Sequence, residues 1–154
     1  MGKLIINSYE EFEKYVDLDL ATSDYHKITQ EQINLFADAT LDHQWIHVDE
    51  ERAKKESPYG ATIAHGYLSV SLLAYLWFQS IEVNNITMLV NYGIENLKFG
   101  QPVVVNSEVR IVTRLKAITN LRGTAKTEVE VTLEIKGSKK HALKGVIVFL
   151  YKFK

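Results

Sequence analysis

The chain of 154 residues contains no cysteine. That absence excludes a disulfide framework, a thiolate nucleophile and a zinc ribbon, and it fits a reducing compartment. Proline is nearly absent too: Pro58 and Pro102 are the only two, so no proline-rich linker or low-complexity tract divides the chain. Neither sign of charge is in excess, with 18 basic against 19 acidic residues. This removes the attraction that would draw the chain to nucleic acid or to an anionic membrane surface, and it favours a neutral small molecule or a protein as partner. No apolar run reaches the roughly 20 residues needed to cross a bilayer. The opening MGKLIINSYEEFEKY becomes acidic by Glu10 and lacks the apolar core of a signal peptide, so the cytoplasm is the expected compartment. Apolar residues at 46% and charged residues at 24% match ordinary globular usage and speak against disorder. With no internal repeat, one domain spanning residues 1–154 is expected.

What is present divides into a helical first half and a stranded second half. Thr29-Gln30-Glu31-Gln32 has the form of a capping box, and Ile33, Phe36 and Ala37 follow at helical spacing, predicting a helix to about Thr40. Asp49 is placed to cap a further turn over residues 50–55, acidic at its start and basic toward its end, stopping near Ser57-Pro58. Residues 66–79 are apolar nearly all round and hold no charge, which predicts a helix buried in the core. After Val83-Asn84-Asn85 the period becomes two. Val129, Val131, Leu133 and Ile135 alternate with polar residues across residues 128–136, and residues 103–115 alternate similarly. Turns are expected at Asn120 to Gly123 and at Gly137-Ser138, with a last strand over residues 142–153. A single apolar helix and a half-wet antiparallel meander bury their faces together if the sheet wraps the helix, which gives an α+β fold. The open edges of such a sheet make a homodimer the expected assembly.

Chemistry-bearing residues concentrate between Asp42 and Gly66, where Asp42, His43, Gln44, His47 and His65 fall close together. Each alone reads equally as a cap or a satisfied polar side chain. Together, Asp42 and His47 are a carboxylate and an imidazole able to share one water and move its proton. His65-Gly66 stands at the start of the apolar helix, whose first amides lack intrahelical partners; Gly66 either simply begins the helix or offers its N–H to a substrate oxygen. His43 and His47 have an i, i+4 spacing found in zinc sites, but the intervening glutamate of that motif is missing, and a metal is not expected. Arg110, Arg114 and Lys116 read as a solvated strand face before they read as a phosphate site.

The stretches FADATLDHQWIHVDEERA and PYGATIAHGYLSVSLL resemble the MaoC-like dehydratase and (R)-specific enoyl-CoA hydratase family, closest to its branch similar to nodulation protein N. NYGIENLKFGQPVVVNSEVR extends the resemblance more loosely. It implies a hot dog fold, an antiparallel sheet around one long central helix, assembled as a homodimer. It also implies addition or removal of water at an acyl thioester of coenzyme A or acyl carrier protein, with no metal or bound redox cofactor. In that reading Asp42 and His47 are the catalytic pair, Gly66 binds the thioester oxygen, and His65, Gln44, Tyr67 and Ser69 contact substrate. The chain departs from the family pattern at Leu41, where the family has glycine, at Gln44 and Trp45, and at Ala74, where some hydratases place serine. Two rival expectations accompany this one: an acyl-CoA thioesterase, and a binding protein of the same fold without turnover.

Overall fold

The computed structural model describes residues 2–154. A short strand β1 (Leu4–Ile6) leads to α1 (Tyr9–Glu13), then to β2 (Asp19–Thr22) and β3 (His26–Lys27). Three helices follow, α2 (Gln30–Thr40), α3 (Trp45–Val48) and α4 (Glu50–Glu56), before the longest helix, α5 (Gly66–Ser80). The rest is strand: β4 (Ile81–Val83), β5 (Ile86–Phe99), β6 (Glu108–Leu121), β7 (Thr124–Ile135) and β8 (Leu143–Phe153). β1 pairs with β4 in parallel, and the main sheet runs β2-β6-β7-β8-β5 with β3 also on β6. Every pairing in the main sheet is antiparallel. Among the described residues no helix is long and apolar enough to cross a membrane.

Alternation explains the sheet's inner face. Val109, Ile111 and Leu115 from β6 and Val129, Val131 and Leu133 from β7 are wholly buried, and they join Leu68, Leu72, Leu73, Leu76 and Trp77 of α5 in one core. Trp77 Nε1–H donates to Tyr151 Oη at 3.0 Å, so the deepest aromatic pair is satisfied where water is excluded. Composition predicts a helix buried in the core, but one side of α5 is left open in the single chain. Tyr67, Tyr75 and Phe78 are exposed at 73%, 45% and 49%, and their spacing places them on one stripe.

Local differences have local causes. Thr29 Oγ1 accepts from Gln32 N–H, but the reciprocal half of the capping box is not made, because Gln32 Oε1 lies 2.9 Å from His26 Nε2 instead. β6 begins at Glu108, later than the alternation from residue 103 suggests. The preceding segment pairs elsewhere: Ala64 N–H donates to Val103 O and Val105 N–H to Thr62 O, tying it to the approach to α5. The β6–β7 hairpin closes on Arg122 and Gly123, both at positive φ (56° and 94°), the signature of the two-residue turn whose twist suits adjacent strands.

Candidate active site

α2 ends at Thr40, and its C-cap Leu41 adopts φ 63°, ψ 19°. This is the left-handed conformation that usually falls to glycine at a helix end. Leucine here adopts a backbone turn more often given to glycine, and the chain passes directly into Asp42. Asp42 is exposed, and its Oδ1 accepts a long bond of 3.4 Å from Gln44 N–H, which orders the entry into α3. His47 lies buried on α3 at 8% exposure. Gln30 Nε2 donates to His47 O at 2.8 Å, and Thr62 Oγ1 donates to Gln30 Oε1, so the start of α2 clamps the backbone that carries the imidazole.

The ring of His47 is fixed by its own hydrogen bond. Nδ1 lies 2.7 Å from Ile63 O; a carbonyl can only accept, so Nδ1 carries the hydrogen and Nε2 of the neutral ring is a bare lone pair. Burial lowers the His47 pKa below its ordinary value and the nearby His65 adds to that fall, while the bond to Ile63 and the Asp42 carboxylate oppose it. The net effect favours the neutral form, the one able to accept a proton.

His65 caps α5 without bonding its own helix. Its side chain turns toward the segment after α2, where Nε2–H donates to Asp42 O at 3.0 Å. The ring stacks on His47 with centroids 3.9 Å apart and planes 25° apart, and Phe36 closes its other side at 4.9 Å. Among the described residues, His65 Nδ1 is the buried side-chain atom without a hydrogen-bond partner. The amides of Gly66 and Tyr67 precede the first bond of the helix, made by Leu68 N–H to His65 O, and no side chain caps them.

A cavity of about 190 Å³ is lined by His47, Gly66 and Ser69 together with Ile63, Phe99 and Gln101. Three of the seven residues expected from sequence, His47, Gly66 and Ser69, thus share one space. Asp42 does not line it, but its carboxylate lies within 4.8 Å of imidazole nitrogens of His47 and His65. His65 stands behind His47 as a support, while Gln44 and Tyr67 are exposed, with Tyr67 edge-on to Phe99 at 6.4 Å. Ala74 lines a different cavity, between α5 and the sheet. Phe99 escapes sequence reasoning altogether: a Cβ built on Gly66 would meet its Cε1 at 3.0 Å and Cζ at 3.1 Å. Glycine is needed there because an aromatic ring from β5 rests on the helix start.

His43 precedes α3 and bonds Asp38 at 2.8 Å. One ligand atom from each of Asp42, His47 and His65 lies within 4.8 Å of the others, with the two imidazole rings stacked. His65 Nε2 is already committed to Asp42 O.

A long apolar helix wrapped by an antiparallel sheet, with a histidine, a carboxylate and free helix amides at one end, defines a hot dog protein with a polar site at the helix start. The solved structures agree on the fold. R-hydratase PhaJ1 from Pseudomonas aeruginosa superposes with a TM-score of 0.72 at 16% identity, covering 90% of this chain and 83% of that one. The (R)-hydratase from A. caviae involved in PHA biosynthesis gives 0.69 at 21%, covering 87% and 94%. The family model for the MaoC like domain matches residues 11–137, and the chain belongs to that family. It is 45% identical over 138 residues to 3-hydroxyacyl-thioester dehydratase Z of Mycobacterium tuberculosis, covering 85% of this chain and 91% of that protein. It is 41% identical to nodulation protein N of Rhizobium leguminosarum bv. viciae, covering 88% and 85%.

Proposed function

We propose that this protein adds water across the α,β double bond of an acyl thioester, or removes it, in the manner of (R)-specific enoyl-CoA hydratases. The observation that carries the reading is the hydrogen bond from His47 Nδ1 to Ile63 O, which leaves Nε2 as a base on the cavity that Gly66 also lines. Asp42 and His47 hold one water between them. His47 Nε2 takes its proton as the oxygen bonds to the β carbon; the π electrons move toward the thioester, whose oxygen gains enolate charge opposite the Gly66 N–H. The proton then returns to the α carbon from the same side, which completes a syn addition. Water is the co-reactant, so the step as written needs neither a metal nor a redox group.

The active form in this reading is a homodimer. Tyr67, Tyr75 and Phe78 of α5 and Tyr92, Ile94 and Phe99 of β5 are large apolar side chains left exposed in the single chain, and β5 is the edge of the main sheet. A second copy pairing there covers apolar surface and an unpaired edge together.

Incubation with crotonyl-CoA tests the proposal. Loss of the enoyl absorbance is expected from the native chain, with kcat/KM reduced by about 10²–10⁴ in His47→Ala and Asp42→Asn. Thiol release without hydration would turn the reading to a thioesterase, and binding with neither reaction to a carrier protein. Full hydratase rate in both variants would sink the site assignment.

A further inference from the structure

His65 is a buried imidazole that the hydration step leaves unused. It is 2% exposed, stands at the N-cap of α5 without bonding that helix, and keeps Nδ1 buried with no partner. A polar nitrogen taken into the core unsatisfied is destabilising, so such a ring calls for an explanation. Its other contacts supply one. Phe36 of α2 adjoins the ring with centroids 4.9 Å apart, and His47 of α3 stacks on it at 3.9 Å. Its edge donates from Nε2–H to Asp42 O at 3.0 Å. The one imidazole therefore touches both helices and the connection between them.

That connection carries a backbone conformation its sequence does not favour. Leu41 stands at φ 63°, ψ 19°, where a β-carbon crowds the following carbonyl. Its side chain is 81% exposed, so packing of the leucine does not hold the turn. Asp42 comes next, also exposed, and its carboxylate accepts one long bond of 3.4 Å from Gln44 N–H. An oxygen of that carboxylate lies within 4.8 Å of an imidazole nitrogen of His47. A leucine relaxing toward the right-handed region would re-aim the chain after it, beginning with Asp42. The bond from His65 grips that chain at the Asp42 carbonyl, one residue beyond the disfavoured angle.

We propose that His65 is a positioning residue: by holding Asp42 O it maintains the left-handed turn at Leu41 and keeps the Asp42 carboxylate beside His47. Its effect on turnover rests on the hydratase reading above, whereas its hold on the turn is a property of the backbone. The proposal makes His65 and Leu41 interdependent. In Leu41→Gly the backbone enters the left-handed region without the steric cost, so the tie to His65 matters less. A left-handed leucine is worth about 5–30-fold in a conformational equilibrium, and that sets the size of the coupling. A histidine that merely filled core space would show no dependence on an exposed leucine.

A double-mutant cycle on the full chain tests this, with crotonyl-CoA as substrate. The intraresidue amide–Hα NOE of Leu41, which is strong at positive φ, follows the turn without any turnover. His65→Phe retains a ring beside Phe36 and His47 but cannot donate to Asp42 O. It is expected to weaken that NOE and to lower kcat by about 10–10²-fold, with KM changed by no more than about twofold. His65→Gln, whose longer amide reaches the same carbonyl, should recover most of that loss. Adding Leu41→Gly to His65→Phe should return about 5–30-fold in kcat, against about twofold or less in the native background. Should His65→Phe not fold, His65→Asn, whose amide stops short of Asp42 O, takes its place in the cycle. Additive effects of the two substitutions, or a native NOE in His65→Phe, overturn the inference and leave His65 as core packing. If the native chain hydrates no crotonyl-CoA, the hydratase reading fails, and the NOE decides the tie by itself: weakened in His65→Phe it upholds the hold on the turn, unchanged it ends it.

Discussion

Gly66→Ala separates the two roles open to this glycine, because the structure predicts opposite behaviour for stability and activity. The added Cβ would sit 3.0 Å and 3.1 Å from two ring carbons of Phe99, so the ring must withdraw by a few tenths of an ångström. Phe99 is itself 52% exposed in the single chain, so within one copy the ring has room to do so. Against this small cost, alanine restricts the unfolded chain and returns about 0.4–1 kcal/mol. The two effects nearly offset, and the melting temperature should move by no more than about 4 °C, the shift that roughly 1 kcal/mol gives at this chain length. Activity has no such compensation. The methyl group enters beside the amide assigned to the thioester oxygen, in a cavity of about 190 Å³. Displacing that oxygen by an ångström, or losing its donor, costs about 10²-fold in rate. Thermal unfolding and crotonyl-CoA hydration measured on the same preparation give both numbers, and Gly66→Ala/Phe99→Leu adds a control. If the second substitution restores activity, the retreat of the ring caused the loss and the amide did not. A Gly66→Ala protein with native melting temperature and native kcat/KM would refute the oxyanion role and leave Gly66 as the seat of Phe99.

Leu41→Gly should stabilise the fold slightly and leave turnover within about twofold. A left-handed leucine costs about 1–2 kcal/mol, the freer unfolded chain of the glycine variant takes away about 0.4–1 of that gain, and the side chain is 81% exposed, so a rise in melting temperature of about 1–3 °C is expected. A tenfold rise in kcat would instead mean that leucine misplaces Asp42. The pH profile of kcat/KM reports His47. Its pKa is held below the ordinary 6.5, chiefly by burial, so the acid limb should fall below pH 6.5 and not at it. The sign for stability is the same: the unfolded chain takes up this proton first, so denaturant midpoints should decline as pH drops from 6.5 through the folded pKa. A limb at or above 6.5 would contradict the burial argument.

The elements that were legible in sequence are those whose neighbours impose one strong constraint. β6 and β7 each have one face on α5, and period two follows at Val109, Ile111 and Leu115 and at Val129, Val131 and Leu133. β5 lies at the sheet edge, is largely exposed along its length and shifts register against β8 at three places, so no single period survives in its sequence. β1, β2 and β3 span only two to four residues each, too few for a pattern to declare itself. α5 was evident from its lack of charge, yet the same lack hid its exposed stripe, since tyrosine and phenylalanine suit both a core and a surface awaiting a partner.

The site divides along the same line. Residue types near one another in the chain, Asp42 and His47, could be paired from spacing, because α2, a left-handed residue and a short helix keep them together. What turns the pair into a base and its companion comes from farther away. The Ile63 carbonyl, 16 positions on, decides which nitrogen of His47 holds the proton. His65, 23 positions from Asp42, fastens the backbone of the carboxylate and stacks on the ring of the base. Phe99 reaches Gly66 because β5 closes against β8, a relation of sheet register with no local signature. A sequence displays which groups can exchange protons. Which lone pair is left bare depends on backbone carbonyls, which every residue carries and no sequence pattern marks.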